Sequence, residues 1–442
     1  MKSTLGLDIS DSALAVVEMG VGKKGLEVVN RSRVELEPEV VEDDSIVLNP
    51  EAFKEAIERL LKKGSTGPIE SRNVIIALPE GKTFSHRLGL PVGHAYDEAS
   101  ILEAAKNYIP IELSDAVVDY RLLPSKEAEK IVFFDVTAAQ KNVVEALVSI
   151  LSEAGLNVVA VDSAKDALVR SCLYSGPKPD PQLKEGDLLT VSVEEKGSYF
   201  NIRTQSGETH TLDSSIGCKR LVEKAKAALS IPTFSEARGR FGSADSKSAF
   251  ALREAIQEEL RGLARRAMEL VTIVGGQEEI KIRKIKIVGG CSFVPGLDGV
   301  LKEVFPEAEV AFGIAGFGMA DSTCEYAKAI GLALRTVAPQ EHEQAVNLLT
   351  RSRRDAVDLN LWKPRILKAM LGIAAGLMVL SVLSGYGWMT SRLGVRIARQ
   401  ELAVSVEKIQ NPYLNQLAQA SQQKSRLEGE MSTILKDSLP MS

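Results

Sequence analysis

The stretch Ala369–Met389, AMLGIAAGLMVLSVLSGYGWM, contains no charged residue. At a rise of about 1.5 Å per residue, about 20 such residues cross the hydrocarbon core of a bilayer. A chain carrying this run must place it in lipid or bury it completely. An uncharged run of this length predicts a transmembrane helix rather than a soluble core helix. Whatever precedes it then folds on one side of a membrane, and whatever follows lies on the other.

The flanks give the orientation. Arg351, Arg353, Arg354, Lys363, Arg365 and Lys368 crowd the N-terminal side, whereas Arg392, Arg396 and Arg399 are among the fewer basic residues beyond it. Basic residues stay on the cytoplasmic side, so the large N-terminal part is expected in the cytoplasm and the C-terminus in the periplasm. The opening MKSTLGLDIS lacks the basic-then-apolar pattern of a signal peptide and reads as a strand. Trp362, Tyr386 and Trp388 sit where amphipathic rings favour the headgroup layer. Gly372 and Gly376 form a small-xxx-small pair, which predicts homodimer contact along that face.

The 442 residues leave room for two or three domains, and 26% charged with 45% hydrophobic residues fits folded rather than disordered chain. A net charge of −5 gives no reason to expect nucleic acid as a partner. Cys172, Cys218, Cys291 and Cys324 form no CxxC pair and read as reduced, packed thiols rather than zinc ligands or disulfides.

Three closely spaced strands, LGLDI, ALAVVEM and Gly25–Glu35, predict an antiparallel meander. Pro50–Lys63 reads as a helix with Phe53, Ile57, Leu60 and Leu61 on one face, and Asn73–Leu78 as a buried strand. Residues from about Thr83 to Asp162 read as a compact α/β segment. After the proline-rich GPKPDPQLKEG, a second strand meander begins at Leu188, then a long helical stretch at Ser246–Val274, then the strand KIKIVGG. Two halves that each open on a meander predict a duplicated fold around a cleft.

Two loops carry chemistry if the cleft does. Asp8, Ser10 and Ser12 stand at the first hairpin, where a carboxylate can orient metal-bound water while hydroxyls and backbone N–H groups contact phosphate. Gly289, Gly290 and Ser292 follow a buried strand, where absent side chains let the backbone approach a nucleoside. Asp8 is the candidate metal ligand, with an equal reading as a turn carboxylate.

LGLDIS, EAAKNYIP with VVDYRLL, VVEALVSILSEAGLNVVAVDSAKDALVR and VGGCSFVPGL make the chain resemble the PilM family of type IV pilus assembly proteins, over about Leu5–Leu334. The resemblance implies an α/β, actin-like (ASKHA, ribonuclease H-like duplicated) two-lobe fold with an inserted subdomain at about 83–162, and ATP with Mg²⁺ as cofactor. Several family features are altered. Ser10 replaces a glycine of the first phosphate loop. Ser192 replaces the aspartate of the second. Arg238 and Phe241 occupy the Glu and Lys positions of the adenosine motif. These changes imply weakened nucleotide binding and no useful ATP turnover, so no catalytic residue is assigned.

Between lobe and membrane, Val346, Asn347, Leu348 and Leu349 resemble the cytoplasmic tail of PilN, which docks in a groove of PilM; Thr350 stands in place of the tail's proline. The contrasting reading is an ordinary amphipathic linker. Beyond the span, Val395, Leu402 and Ile409 recur every seven residues, Pro412 interrupts, and Leu427 and Ile434 resume, predicting two short amphipathic helices. The expected organisation is a cytoplasmic domain at 1–338, a docking linker at 339–368, a span at 369–389 and a periplasmic coiled segment at 390–442. The expected function is an inner-membrane scaffold of pilus assembly with PilN-like and PilO-like partners. The alternatives are a GspL-type component of type II secretion and a membrane-linked ATPase or sugar kinase. Asp187 and Asp213, the carboxylates available as a kinase base, read better as turn residues.

Overall fold

The computed structural model describes residues 4–23, 25–93, 96–123, 130–176, 178–184, 186–205, 207–243, 246–276, 279–290, 293–317, 319–338 and 345–437. The chain divides into two units, Met1–Val357 and Asp358–Ser442.

In the first unit, β1 (Leu5–Ile9), β2 (Ala13–Gly22) and β3 (Gly25–Glu35) form the expected antiparallel meander. The short β4 (Val41–Glu42) and β5 (Ile46–Val47) pair with each other. Helix α1 (Pro50–Lys62) starts on Pro50, is capped by Asn49 accepting the Ala52 N–H, and buries Phe53, Ile57, Leu60 and Leu61. Strand β6 (Asn73–Leu78) then runs parallel to β1.

Strands β7 (Thr83–Pro91), β8 (Ala116–Leu122) and β9 (Ile131–Gln140) make a separate antiparallel sheet, order β7-β9-β8. Helix α2 (Glu98–Ala105) covers it, with a core of its own around Leu88, Ile101, Phe134 and Val136. The inserted subdomain therefore ends near 140, not 162. Helix α3 (Lys141–Glu153) buries Val144, Leu147, Val148 and Leu151 in the core that holds Phe53 and Ile57, and β10 (Asn157–Ser163) pairs parallel with β6. Both belong to the first lobe because their apolar faces are spent there.

Helix α4 (Ala164–Cys172), capped by Ser163, is buried along its whole length. A small ribbon, β11 (Tyr174–Ser175) with β12 (Lys178–Pro179), leads to the second lobe. There β13 (Asp187–Val193), β14 (Ser198–Arg203) and β15 (Thr209–Ser214) form a second meander. Helices α5 (Cys218–Ala228), α6 (Phe234–Ser243), α7 (Ser246–Ala255) and α8 (Gln257–Gly275) follow. The stretch read as one helix breaks at Ile256, where φ −116° and ψ 12° leave the helical region. Strand β16 (Ile282–Val288), helix α9 (Leu297–Val304), β17 (Glu309–Phe312), the ribbon β18 (Ile314–Gly316) with β19 (Met319–Thr323), and α10 (Ala327–Val337) complete the lobe sequence.

The two large sheets have orders β10-β6-β1-β2-β3 and β15-β14-β13-β16-β17. In each, an antiparallel meander is extended by two parallel strands, so the halves are duplicates. Helix α10 returns to pack on β1 and α4. Two glycines permit this: a Cβ at Gly331 would strike the Ala167 carbonyl oxygen, and one at Gly6 the Ala329 carbonyl oxygen. Cys172 and Cys324 are free and buried, but Cys218 is disulfide-bonded, contrary to the expectation of reduced thiols. Sequence spacing does not reveal thiols that only the tertiary fold brings together.

Helix α11 (Arg351–Asp437) begins in the first unit and supplies the described part of the second. It holds an 18-residue window of mean hydropathy 1.7, long and apolar enough to cross a membrane. Leu371, Ile373 and Leu377 are 60–64% exposed, so lipid is the solvent that suits them. The helix continues through Pro412, where two helices were expected. A proline removes one backbone hydrogen bond and costs about 3 kcal/mol locally, and the leucine-, glutamine- and alanine-rich flanks favour helix on both sides.

Candidate functional site

Strand β10 is an edge of the first sheet, and its outward backbone groups need partners. Residues 346–349 supply them at Val161. The Leu348 N–H donates to the Val161 carbonyl at 2.7 Å, and the Asn347 side-chain oxygen accepts from the Val161 N–H at 3.1 Å and from the Leu349 N–H at 3.2 Å. One asparagine amide thus stands in for a strand. The Asn347 N–H donates to the Asp119 carboxylate at 2.6 Å. Arg335 donates to the Val346 carbonyl, and Arg354 to the Asn347 and Leu349 carbonyls. Val346, Leu348 and Leu349 are no more than 1% exposed, and both leucines join the core around Phe53, Val158 and Val161.

Beneath this segment lies a charged network. Asp162, fully buried, accepts from Arg170 at 3.0 Å and pairs with Arg335 at 3.3 Å, and Arg170 also donates to the Gly331 carbonyl at 3.0 Å. It ties β10, α4 and α10 to the segment after them. The sequence singles out none of Asp119, Asp162 and Arg335, and Arg354 only as one of the basic residues flanking the span. For Arg335 the signal is a charge at the end of a strongly apolar run, IGLALR.

The cleft between the lobes brings together Asp8, Ser10, Ser12, Gly289 and Gly290; Ser292 lies outside the described residues. The remaining space there is about 30 Å³, room for a water or two. Gly289 has φ +101°, and a Cβ there would come within 2.6 Å of the Val193 carbonyl oxygen, while Gly290 faces open space. Ser10 serves its own turn, its hydroxyl donating to the Ala13 carbonyl at 2.9 Å. The Asp11 N–H donates to the Asp44 carboxylate at 2.9 Å, and the Asp44 N–H returns to Asp11 at 2.8 Å. Asp43 and Asp44 both have positive φ, near 50°, which aspartate tolerates better than most residues.

Two lysines that stand in no sequence motif dominate the electrostatics. Lys328, on α10, places its ammonium 3.2 Å from Asp8 and 3.8 Å from Glu194. Lys196, at the β13–β14 turn, lies 2.9 Å from Asp11 and 3.0 Å from Asp43. Burial alone would lower the Lys328 ammonium, but the Asp8, Glu194 and Asp44 carboxylates overcome it and hold it well above the usual lysine range. Burial pushes Asp44 up to about 7 against the pull of Lys328, and Glu80 up to about 7 against Lys165 and Lys328. Glu195 pairs with Arg238 at 2.9 Å. Among the described residues, no group of three or more His, Cys, Asp or Glu side chains is placed to hold a metal ion.

A pH dependence follows from Glu80. An unfolded glutamate ionises near 4.5, whereas the folded one keeps its proton to about 7. Stability from this group is therefore lost as pH rises from about 5 to about 7, and the loss is constant above that. Glu80→Gln is expected to flatten the decline of Tm across this window, matching wild type near pH 5 and exceeding it near pH 8. A scan of Tm against pH that is parallel for the two proteins would refute this.

The family described as type IV pilus assembly protein PilM matches residues 6–337. The solved PilM-PilN type IV pilus biogenesis complex is similar in structure, with a TM-score of 0.60 and 20% identity over 77% of this chain and 99% of that one. The ethanolamine utilization protein EutJ from Carboxydothermus hydrogenoformans gives 0.42 and 14%, over 75% and 88%. The cytoplasmic domain of EpsL, from the type II secretion system of Vibrio cholerae, gives 0.35 and 12%, over 79% and 98%. No curated protein matches by sequence.

Proposed function

Because the chain belongs to the PilM family of type IV pilus assembly proteins, we propose that it is an inner-membrane scaffold that carries its own PilN-like tail. A PilM-type domain and a helix long and apolar enough to cross a membrane are here one polypeptide. The large N-terminal part lies in the cytoplasm, a single helix spans the inner membrane, and the C-terminus is periplasmic.

One observation carries this reading: Asn347–Leu349 sit on the edge of β10 with paired backbone groups and buried leucines. This is strand-edge recognition in which main-chain hydrogen bonds give affinity and apolar side chains give specificity. An ordinary linker has no need of either. The tail thus fixes the scaffold to its own span, and the α11 residues beyond the membrane offer a surface to PilN-like and PilO-like alignment proteins. Gly372 and Gly376 have nothing within 4 Å, which leaves that face free for a second copy of the helix.

The test is recovery of partners. The full chain, solubilised from its native membrane, is expected to bring down pilus alignment proteins equally well with ATP supplied or depleted. Recovery of type II secretion components would instead assign it to the GspL-type platform, and recovery that requires ATP would replace the scaffold with an ATP-driven machine.

A further inference from the structure

We propose that Lys328 is a built-in substitute for the divalent cation of a nucleotide cleft. Its ammonium lies between the Asp8 and Glu194 carboxylates, on the two hairpins that a metal-bound phosphate would bridge.

Lys328 is the second residue of α10, and Ala327, Ala329, Ile330, Leu332 and Ala333 around it are all buried. Its own side chain is only 11% exposed. An ammonium in such a place is costly unless carboxylates surround it, and once surrounded it repels any second cation. Glu194 is fixed in this role by the Ser192 hydroxyl, which donates to it at 2.6 Å.

The rest of the cleft agrees. A phosphate would need the Asp11 N–H and the Ser10 hydroxyl, and both are already bonded, to Asp44 and to Ala13. Lys196 draws the second-lobe hairpin onto Asp11 and Asp43 of the first. On the nucleoside side, Arg238 and Glu195 pair with each other. About 30 Å³ of space is left around Asp8, Glu194 and Lys328, against the several hundred that small-ligand pockets provide, and the roomier space of about 280 Å³ nearby opens beside Asp11, Asp43 and Lys196, away from Asp8, Lys328 and the Gly289–Gly290 turn. The residues present therefore do not fit ATP with Mg²⁺. The cleft keeps its closed form through charges belonging to the chain, and its lobes need no nucleotide to stay together.

The test uses the full chain in detergent, followed by thermal unfolding. Wild type is expected to show no change of Tm with millimolar MgCl₂ or Mg·ATP. Lys328→Met should lose several degrees, and millimolar Mg²⁺ should return much of that loss, because the vacated carboxylates then accept the metal. The double variant Asp8→Asn with Lys328→Met, which removes both charges, should recover stability without responding to Mg²⁺. If Lys328→Met does not fold, the double variant must. A rise in wild-type Tm with Mg·ATP overturns the proposal. So does a Lys328→Met that is as stable as wild type, or one that folds but ignores Mg²⁺, or a double variant that fails.

Discussion

Alanine at Leu348 and Leu349 is expected to unseat the segment that leads into the membrane helix and to weaken the whole first lobe. Each leucine is buried to within 1% and packs in the core with Phe53, Val158 and Val161. Truncating a buried leucine costs about 2–5 kcal/mol, and the pair sits side by side, so the losses will not simply add. The first readout is the chemical denaturation midpoint of the full chain in detergent. The second is proteolysis within residues 345–357, which should be slow in wild type and fast in the double variant. Leu371→Ala, on the exposed apolar run of α11, should change neither. Protection that survives loss of both leucines would mean the hydrogen bonds of Asn347 alone seat the segment, and the apolar anchor would be dismissed.

Asp162→Asn should be of comparable size. The carboxylate is fully buried and faces two guanidinium groups, Arg170 at 3.0 Å and Arg335 at 3.3 Å. Breaking a buried pair while leaving a charge behind costs about 3–5 kcal/mol, more than the pair itself contributes. The asparagine keeps the shape, so the loss reads out charge rather than volume. Arg335 also donates to the Val346 carbonyl, which links the network to the docked segment. The combined Asp162→Asn, Leu348→Ala variant is therefore expected to be less destabilised than the sum of the two, because each change already loosens the same contact. A strictly additive result would uncouple the network from the segment.

What the sequence disclosed follows from how local each signal is. The membrane run needs only composition, and α1 needs only the spacing of Phe53, Ile57, Leu60 and Leu61. Residues 346–349 were visible because asparagine followed by two leucines beside a basic cluster is unusual, and the family resemblance gave it meaning. Lys328 was not visible: in AKAIGLALR one lysine at the start of a helix looks like solvent-facing charge, and only the packing of α10 on β1 and α4 turns it inward. Asp44 and Glu80 sit in EDDS and PEGK, ordinary turn sequences whose burial depends on the opposite lobe. The end of the inserted subdomain was misplaced for the same reason. Nothing in α3 itself says which of two neighbouring cores will take its apolar face.

The segment on β10 and the helix that follows it are one continuous piece of backbone, and this has a numerical consequence. Each cytoplasmic domain arrives with one anchor, so unequal synthesis of two subunits cannot leave vacant domains adrift or anchors without cargo. A free peptide of the same sequence must compete against a tethered copy whose effective concentration is on the order of millimolar. Copy number in the assembled machine is then counted in whole chains, with the one-to-one ratio written into the gene rather than reached by equilibrium.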